Sequence, residues 1–206
     1  MSDAAANQLV LASGSRSRRD MLKAAGLSFI VKPADVDEAA IRDAFVADSG
    51  GNADPADIAQ VLAIAKAETV SRQMPKALVI AADQVMAMNG AIFDKPKDMD
   101  DARRRLLDMR GKTHQLHAGV AIAVAGTITW SASDTAHMSV RKFTSEFVSS
   151  YLAVAGSEVL SSVGAYQLEG LGVQLFDEVR GDFFTILGLP LLPLLGELRA
   201  RGIIKQ

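Results

Sequence analysis

Two hydrophobic periods run along the chain and predict interleaved strands and helices. Leu9 to Ala12 is a short apolar run that predicts a buried strand, stopped by Ser13-Gly14-Ser15. Apolar residues at helical spacing then predict a helix from Arg16 to Ala25, with Gly26 as its C-terminal stop. Phe29 to Val31 predicts a second strand. Asp35 is a candidate N-cap for a helix to Phe45, because Glu38 lies three residues on. Asp54 and Pro55 open a longer helix to Arg72, whose apolar stripe is Ile58, Val61, Leu62 and Ala65. Ala77 to Ala82 predicts a fully buried strand, with Asp83 just past its end. Asn89-Gly90 is a hairpin turn signal.

The second half continues the alternation. Met99 to Met109 predicts a helix with Leu106 and Met109 inward and Arg103, Arg104 and Arg105 solvated. Gly119 to Val124 and Thr127 to Ser133 predict a hairpin around Gly126. Ser145 to Val154 predicts a helix, Gly164 to Val179 short strands, and Pro190 to Arg201 a last helix. Strands joined by hairpins beside strands joined by helices predict an α/β fold with a mixed sheet, not a purely parallel one.

Composition narrows the class. At 206 residues the chain is sized for one domain, residues 1–206, with Met1 to Gln8 as a short lead-in. Twenty-two Lys and Arg against 24 Asp and Glu give a net charge of −2, which argues against a partner that is a nucleic-acid polymer. Cys is absent, so disulfides, thiolate catalysis and Cys-ligated zinc are excluded. No charge-free stretch of about 18 apolar residues occurs, so no membrane span is expected. The N-terminus lacks a secretory pattern. A cytoplasmic setting is the expectation.

Three groups of residues could carry chemistry. Ser13-Gly14-Ser15-Arg16-Ser17-Arg18-Arg19 joins a strand to a helix start, whose free N–H groups and partial positive charge suit phosphate oxygens. It is not a P-loop, since no G-x-x-x-x-G-K-[ST] is present. Asp35-Val36-Asp37-Glu38 and Asp83 are hard oxygen ligands of the type Mg²⁺ takes alongside phosphates. A charge following Val79-Ile80-Ala81-Ala82 is costly without a partner. Lys66 and Lys95 could neutralise phosphate, although each taken singly reads as a surface lysine. His114 and His117 are three apart on a strand and point to opposite faces, which is poor geometry for a shared metal.

Taken in order, these pieces resemble the Maf family of nucleoside triphosphate pyrophosphatases. The carriers are Leu9-Val10-Leu11-Ala12-Ser13-Gly14-Ser15 with Arg18-Arg19, Asp35-Val36-Asp37-Glu38, Ala65-Lys66-Ala67, Ala82-Asp83-Gln84-Val85, Lys95-Pro96, Glu169-Gly170-Leu171-Gly172 and Gly188-Leu189-Pro190-Leu191. The resemblance implies an elongated, twisted mixed sheet with flanking helices, and two lobes around a deep cleft. It implies cleavage of a nucleoside triphosphate between its α and β phosphates, a divalent cation (Mg²⁺ or Mn²⁺), and a homodimer. By position, Ser13, Arg18, Lys66 and Lys95 would hold phosphates. Glu38 and Asp83 would hold the metal, with Asp83 as general base. Gln84 and Glu169 resemble the branch acting on 7-methyl-GTP, where a carboxylate suits the donors of a guanine-type base. Ser17 stands where that branch carries a Trp. The pyrimidine-directed branch, acting on dTTP and UTP, is one alternative. Another is a nucleotide-binding regulator of septum formation without significant turnover. A non-nucleotide phosphatase ranks lower, since no His or Cys nucleophile is suitably placed.

Overall fold

The computed structural model describes residues 8–205. Gln8, expected in the lead-in, already belongs to β1 (Gln8–Leu11) and pairs with Ala77; residues 1–7 lie outside the described residues. A polar loop after β1 leads into α1 (Arg16–Ala24), and the chain returns through β2 (Ile30–Val31), parallel to β1. The next helix, α2 (Glu38–Asp48), begins later than expected. Asp37, not Asp35, is its cap, because its Oδ1 accepts the Ala40 N–H at 3.0 Å. Glu38 therefore opens the helix. As expected, α3 (Pro55–Gln73) is capped by Asp54.

The central strand is β3 (Ala77–Met88), and it runs six residues past the expected end at Ala82. The apolar run Val85 to Met88 continues the strand, so Asp83 sits inside it. What ends near Ile80 is the partner. β1 pairs β3 only up to Leu11 against Ile80, and β4 (Ala91–Phe93) pairs it on the same side only from Met86 on. Residues 81–85 thus have no strand on that side, and Asp83 is at the middle of this open interval. Asn89 and Gly90, at φ 52° and 78°, make the tight β3–β4 turn, as their type predicts.

On the other side β3 pairs antiparallel with β5 (Thr113–Val124), which follows α4 (Met99–Met109). β6 (Thr127–Val140) extends the sheet through a turn at Ala125-Gly126, and both hairpin strands are longer than predicted. After α5 (Ser145–Ala155) the expected short strands are mostly absent. Segment 162–175 is turn and 3₁₀ structure with a single strand behind it, β7 (Phe176–Arg180). A short unpredicted helix, α6 (Phe183–Ile186), precedes α7 (Leu191–Ala200). The seven-stranded sheet has the order β2-β1-β3-β5-β6-β7, with β4 on β3. It is parallel at the β2-β1-β3 end and antiparallel elsewhere, the mixed α/β arrangement expected.

Side-chain alternation along the long strands divides the core. One face lies under α3, where Ala63, Ala67 and Val70 meet Val10, Ala12, Val79, Ala81 and Ala121. These small residues let the helix backbone lie close to the sheet. Gly119, opposite Asp83, makes the approach possible, since a Cβ there would stand 2.6 Å from the Ala59 carbonyl oxygen. The other face carries two cores. α1 and α7 pack on Leu78, Ile80, Ala82, Val120 and Ile122. α4 and α5 pack on Met86, Met88, Leu116, Ala136 and Met138. Gln84 is the β3 residue between them. Two helical caps along one continuous sheet form two lobes with a gap over the strand centre.

His114 lies in the second core, fully buried, with Nε2 2.7 Å from the Tyr166 hydroxyl and Nδ1 unpartnered among the described residues. His117, on the opposite face, bonds Thr135 Oγ1 at 2.9 Å. Neither is placed as a metal ligand. Burial drives the His114 pKa down to about 4. The folded state therefore refuses a proton that the unfolded chain takes up near pH 6.5. Stability is full above that pH and falls as pH drops from about 6.5 towards 4, by on the order of 3 kcal/mol. Urea unfolding between pH 7 and 4.5 measures this slope. His114→Phe should flatten it by one proton, and an unchanged slope would show that another group carries it.

Candidate active site

A cleft of about 1160 Å³ opens at the unpaired interval of β3 and takes in both faces of the strand; Ser13, Ser17, Arg18, Glu38, Lys66, Asp83, Gln84, Lys95 and Glu169 line it, whereas Arg19, Asp35 and Asp37 are not among its lining residues. The nine that line it come from six separate segments, so the long central strand and its open interval collect them.

The β1–α1 junction forms one wall. Ser15 caps α1 by accepting the Arg18 N–H. Ser13 Oγ accepts from the Ser15 N–H at 3.3 Å and from Arg18 Nη1 at 3.1 Å, which leaves its own proton free for an acceptor in the cleft. Arg18 is buried. Its Nε donates to the Gly188 carbonyl and its Nη1 to the Ala82 carbonyl, each at 2.7 Å. The guanidinium thus satisfies an oxygen of β3 where the strand has lost its neighbour. Gly188, at φ 92°, leaves room for it, since a Cβ there would be 3.3 Å from Nη2. Burial lowers the Arg18 pKa, opposed by the negative charges of Asp83 and Glu38. With Nε and Nη1 engaged internally, Nη2 is what remains for an anion. Ser17, half-buried, places only a small side chain on this wall.

The opposite face of β3 supplies the charged centre. Lys66 lies on the inward stripe of α3 between Ala63, Ala67 and Val70, and it is only 7% exposed. It is therefore not the surface lysine its residue type suggests. Its ammonium contacts Asp83 Oδ1 and lies 2.7 Å from Glu38 Oε1. Asp83 is likewise 7% exposed, whereas Glu38 reaches in from the exposed start of α2. The lysine bridges two carboxylates from different elements and keeps a third N–H for a ligand. Both carboxylates meet at the same ammonium, so the cation they share in this structure is Lys66. Among the described residues no group of three or more His, Asp and Glu is placed to hold a metal. Two oxygen donors fit Mg²⁺ or Mn²⁺, which fill their remaining positions with water and phosphate.

Gln84 faces the other way. Its Nε2 donates to the carbonyls of Thr185 and Ile186, at 3.0 and 2.9 Å, so both amide protons are taken and Oε1 is left as an acceptor. Lys95 and Glu169 are exposed on the rim and make no ion pair among the described residues. Beside Lys95, Asp94 pairs with Arg42 at 2.7 Å across the mouth. Arg105 corrects the sequence reading. Its side chain is 11% exposed, not solvated, and bonds the carbonyls of Asp94 and Val163. The signal was present, because Arg105 lies three residues from Ala102 and four from Met109, both buried.

Residues 8–201 match the family described as Maf-like protein. The chain belongs to the Maf family. A Mesorhizobium japonicum protein named 7-methyl-GTP pyrophosphatase is 48% identical over 197 residues, spanning 96% of this chain and 98% of the relative. A Brucella suis protein of the same name is 50% identical over the same shares. A Granulibacter bethesdensis protein named nucleoside triphosphate pyrophosphatase is 46% identical, over 93% of this chain and 96% of its own. The Ham1 protein structure from Staphylococcus aureus aligns at TM-score 0.45 with 17% identity, covering 65% of this chain and 72% of that one. No helix among the described residues of this Maf family chain is long and apolar enough to cross a membrane.

The two lysines should separate in folding. Lys66→Met strands the buried Asp83 carboxylate and should cost about 3 kcal/mol, the range for breaking one side of a buried pair. Lys95→Met removes an exposed charge and should stay within about 0.5 kcal/mol. Urea unfolding at pH 7 compares them, and equal losses would contradict this placement.

Proposed function

We propose that the chain is a metal-dependent nucleoside triphosphate pyrophosphatase that splits the α–β phosphate bond to give a monophosphate and pyrophosphate. The observation that carries this reading is the convergence of Glu38 and Asp83 with Arg18, Lys66 and Lys95 in one nucleotide-sized cleft. The names of the full-length relatives support it.

The triphosphate enters carrying several negative charges. The remaining Lys66 N–H, Arg18 Nη2, the Ser13 hydroxyl and Lys95 are donors for its oxygens, and the free N–H groups at the start of α1 add to them. Asp83 has one oxygen against Lys66 and the other for a water molecule. In this role it accepts the water proton as the oxygen attacks the α phosphorus. The bond from that phosphorus to the bridging oxygen breaks, and pyrophosphate leaves with its charge met by the basic groups. Glu38 and Asp83 would hold a divalent cation, Mg²⁺ or Mn²⁺. When bound, it supplies Lewis-acid neutralisation of the phosphates. Gln84 Oε1 and the Glu169 carboxylate are acceptors for the N1–H and exocyclic amine of a guanine-type base, 7-methyl-GTP included. A homodimer in the cytoplasm completes the proposal.

Pyrophosphate release from 7-methyl-GTP, GTP, UTP, dTTP and CTP with Mg²⁺ or Mn²⁺ tests the reaction. Asp83→Asn should lower turnover roughly a hundredfold or more while the far-UV spectrum is kept. Full activity in that variant rejects Asp83 as the base. Tight triphosphate binding with no product from any substrate would favour a regulator, and preference for UTP or dTTP would move the chain to the pyrimidine-directed branch.

A further inference from the structure

We propose that Arg105 is a positioning residue that fixes the spacing of the two rim segments of the cleft, and through that spacing sets triphosphate affinity and discrimination between bases. The inference rests on the reading above, in which Lys95 meets phosphate and Glu169 meets the base.

Arg105 projects from α4 and is not among the residues lining the cleft. Its Nη1 donates to two backbone carbonyls from different segments, that of Asp94 and that of Val163, the latter at 2.6 Å. Asp94 immediately precedes Lys95. Val163 opens the segment that runs through Tyr166 to Glu169. One nitrogen with two protons thus ties the rim segment carrying the phosphate-side lysine to the one carrying the base-side carboxylate.

Both segments are stiff, so a shift at the tie reaches the functional side chains. On the first, Pro96 is buried, the Lys97 N–H donates to Asp101 Oδ2 at 3.1 Å, and Arg42 holds the Asp94 carboxylate. On the second, Ala165 is at φ 59° and the Tyr166 hydroxyl is 2.7 Å from His114. Gly164 lies against the Tyr166 ring, where a Cβ would come within 2.2 Å of ring carbon. The guanidinium is itself anchored. Nη2 lies 3.7 Å from Asp101 Oδ2, and the Phe93 ring sits 5.5 Å from its central carbon. A planar fork with several N–H groups can serve two carbonyls, an aromatic face and a carboxylate at once. An ammonium on a flexible stem cannot hold that geometry.

Steady-state pyrophosphate release by the full chain tests this with Arg105→Lys and Arg105→Gln, beside Lys95→Ala. In Arg105→Lys, KM for the preferred triphosphate should rise about tenfold, the worth of one hydrogen bond to a charged group, while kcat stays within about threefold. The ratio of kcat/KM between 7-methyl-GTP and GTP, identical in their phosphates, should move towards one. That ratio is the readout a purely structural tie would not move. A lowered melting temperature with KM and the ratio unchanged overturns the inference, as does failure of both Arg105 variants to fold, which would make the residue a core strut. The underlying reading fails separately, by absence of product from the wild-type chain or by full activity in Lys95→Ala, and the inference falls with it.

Discussion

The ammonium of Lys66, drawn into an apolar helix stripe and set against Asp83 and Glu38, is the contact around which the cleft is organised. A lysine there would be costly without a counter-charge, and so would an aspartate in the middle of a buried strand. Each makes the other tolerable, and the cost of desolvating the pair is carried by packing elsewhere along α3. Close approach is the second half of the constraint. Alanines on the helix, alanines on the strands and Gly119 beneath the Ala59 carbonyl bring the helix near enough for the pair to form. Glu38 joins from α2, a helix with no fully buried residue that leans on the α3 side through Ile41, Phe45 and Val46. Charge at the centre is therefore assembled from three elements of very different burial.

The open interval on β3 gives that charge an exit to solvent. A strand with partners on both sides along its whole length would leave no opening beside Asp83. Here β1 stops at Leu11 and β4 starts at Met86, so the backbone between them needs other partners. Arg18 supplies one by donating to the Ala82 carbonyl, and in doing so ties α1 and the Gly188 turn to the central strand. The same residue therefore closes a gap in the sheet and places a cation at the cleft wall. Gln84, one residue after Asp83, points to the opposite face and binds the carbonyls of α6. Period-two alternation thus sends consecutive residues of one strand to two different jobs.

Much of this was legible beforehand, and what was not has identifiable causes. The helix from Asp54 and Pro55, the Asn89-Gly90 turn and the apolar strand at Leu9 to Ala12 follow from local chemistry, and the structure keeps them. The length of β3 was misjudged because a buried Asp reads as a terminator unless its partner is known, and Lys66 lies 17 residues away. The cap of α2 shifted from Asp35 to Asp37 because several acidic residues in a row offer the same cap. Gly164 to Val179 reads as short strands from its composition, but only the part from Phe176 on is strand. The residues before Phe176 are held by tertiary contacts such as His114 with Tyr166 and Arg105 with Val163, which no window on the sequence contains. The site residues were found as an ordered set of motifs. Their meeting in one cleft depends on register between β3 and β5 and on the packing of α3, both long-range.

The most direct check on the account is the fate of the water oxygen. Hydrolysis of the preferred triphosphate in ¹⁸O-labelled water, followed by mass spectrometry of both products, reports which phosphorus was struck. Attack organised by Asp83 on the innermost phosphorus predicts the label in the nucleoside monophosphate and unlabelled pyrophosphate. Label in the pyrophosphate, or release of orthophosphate in its place, would contradict it.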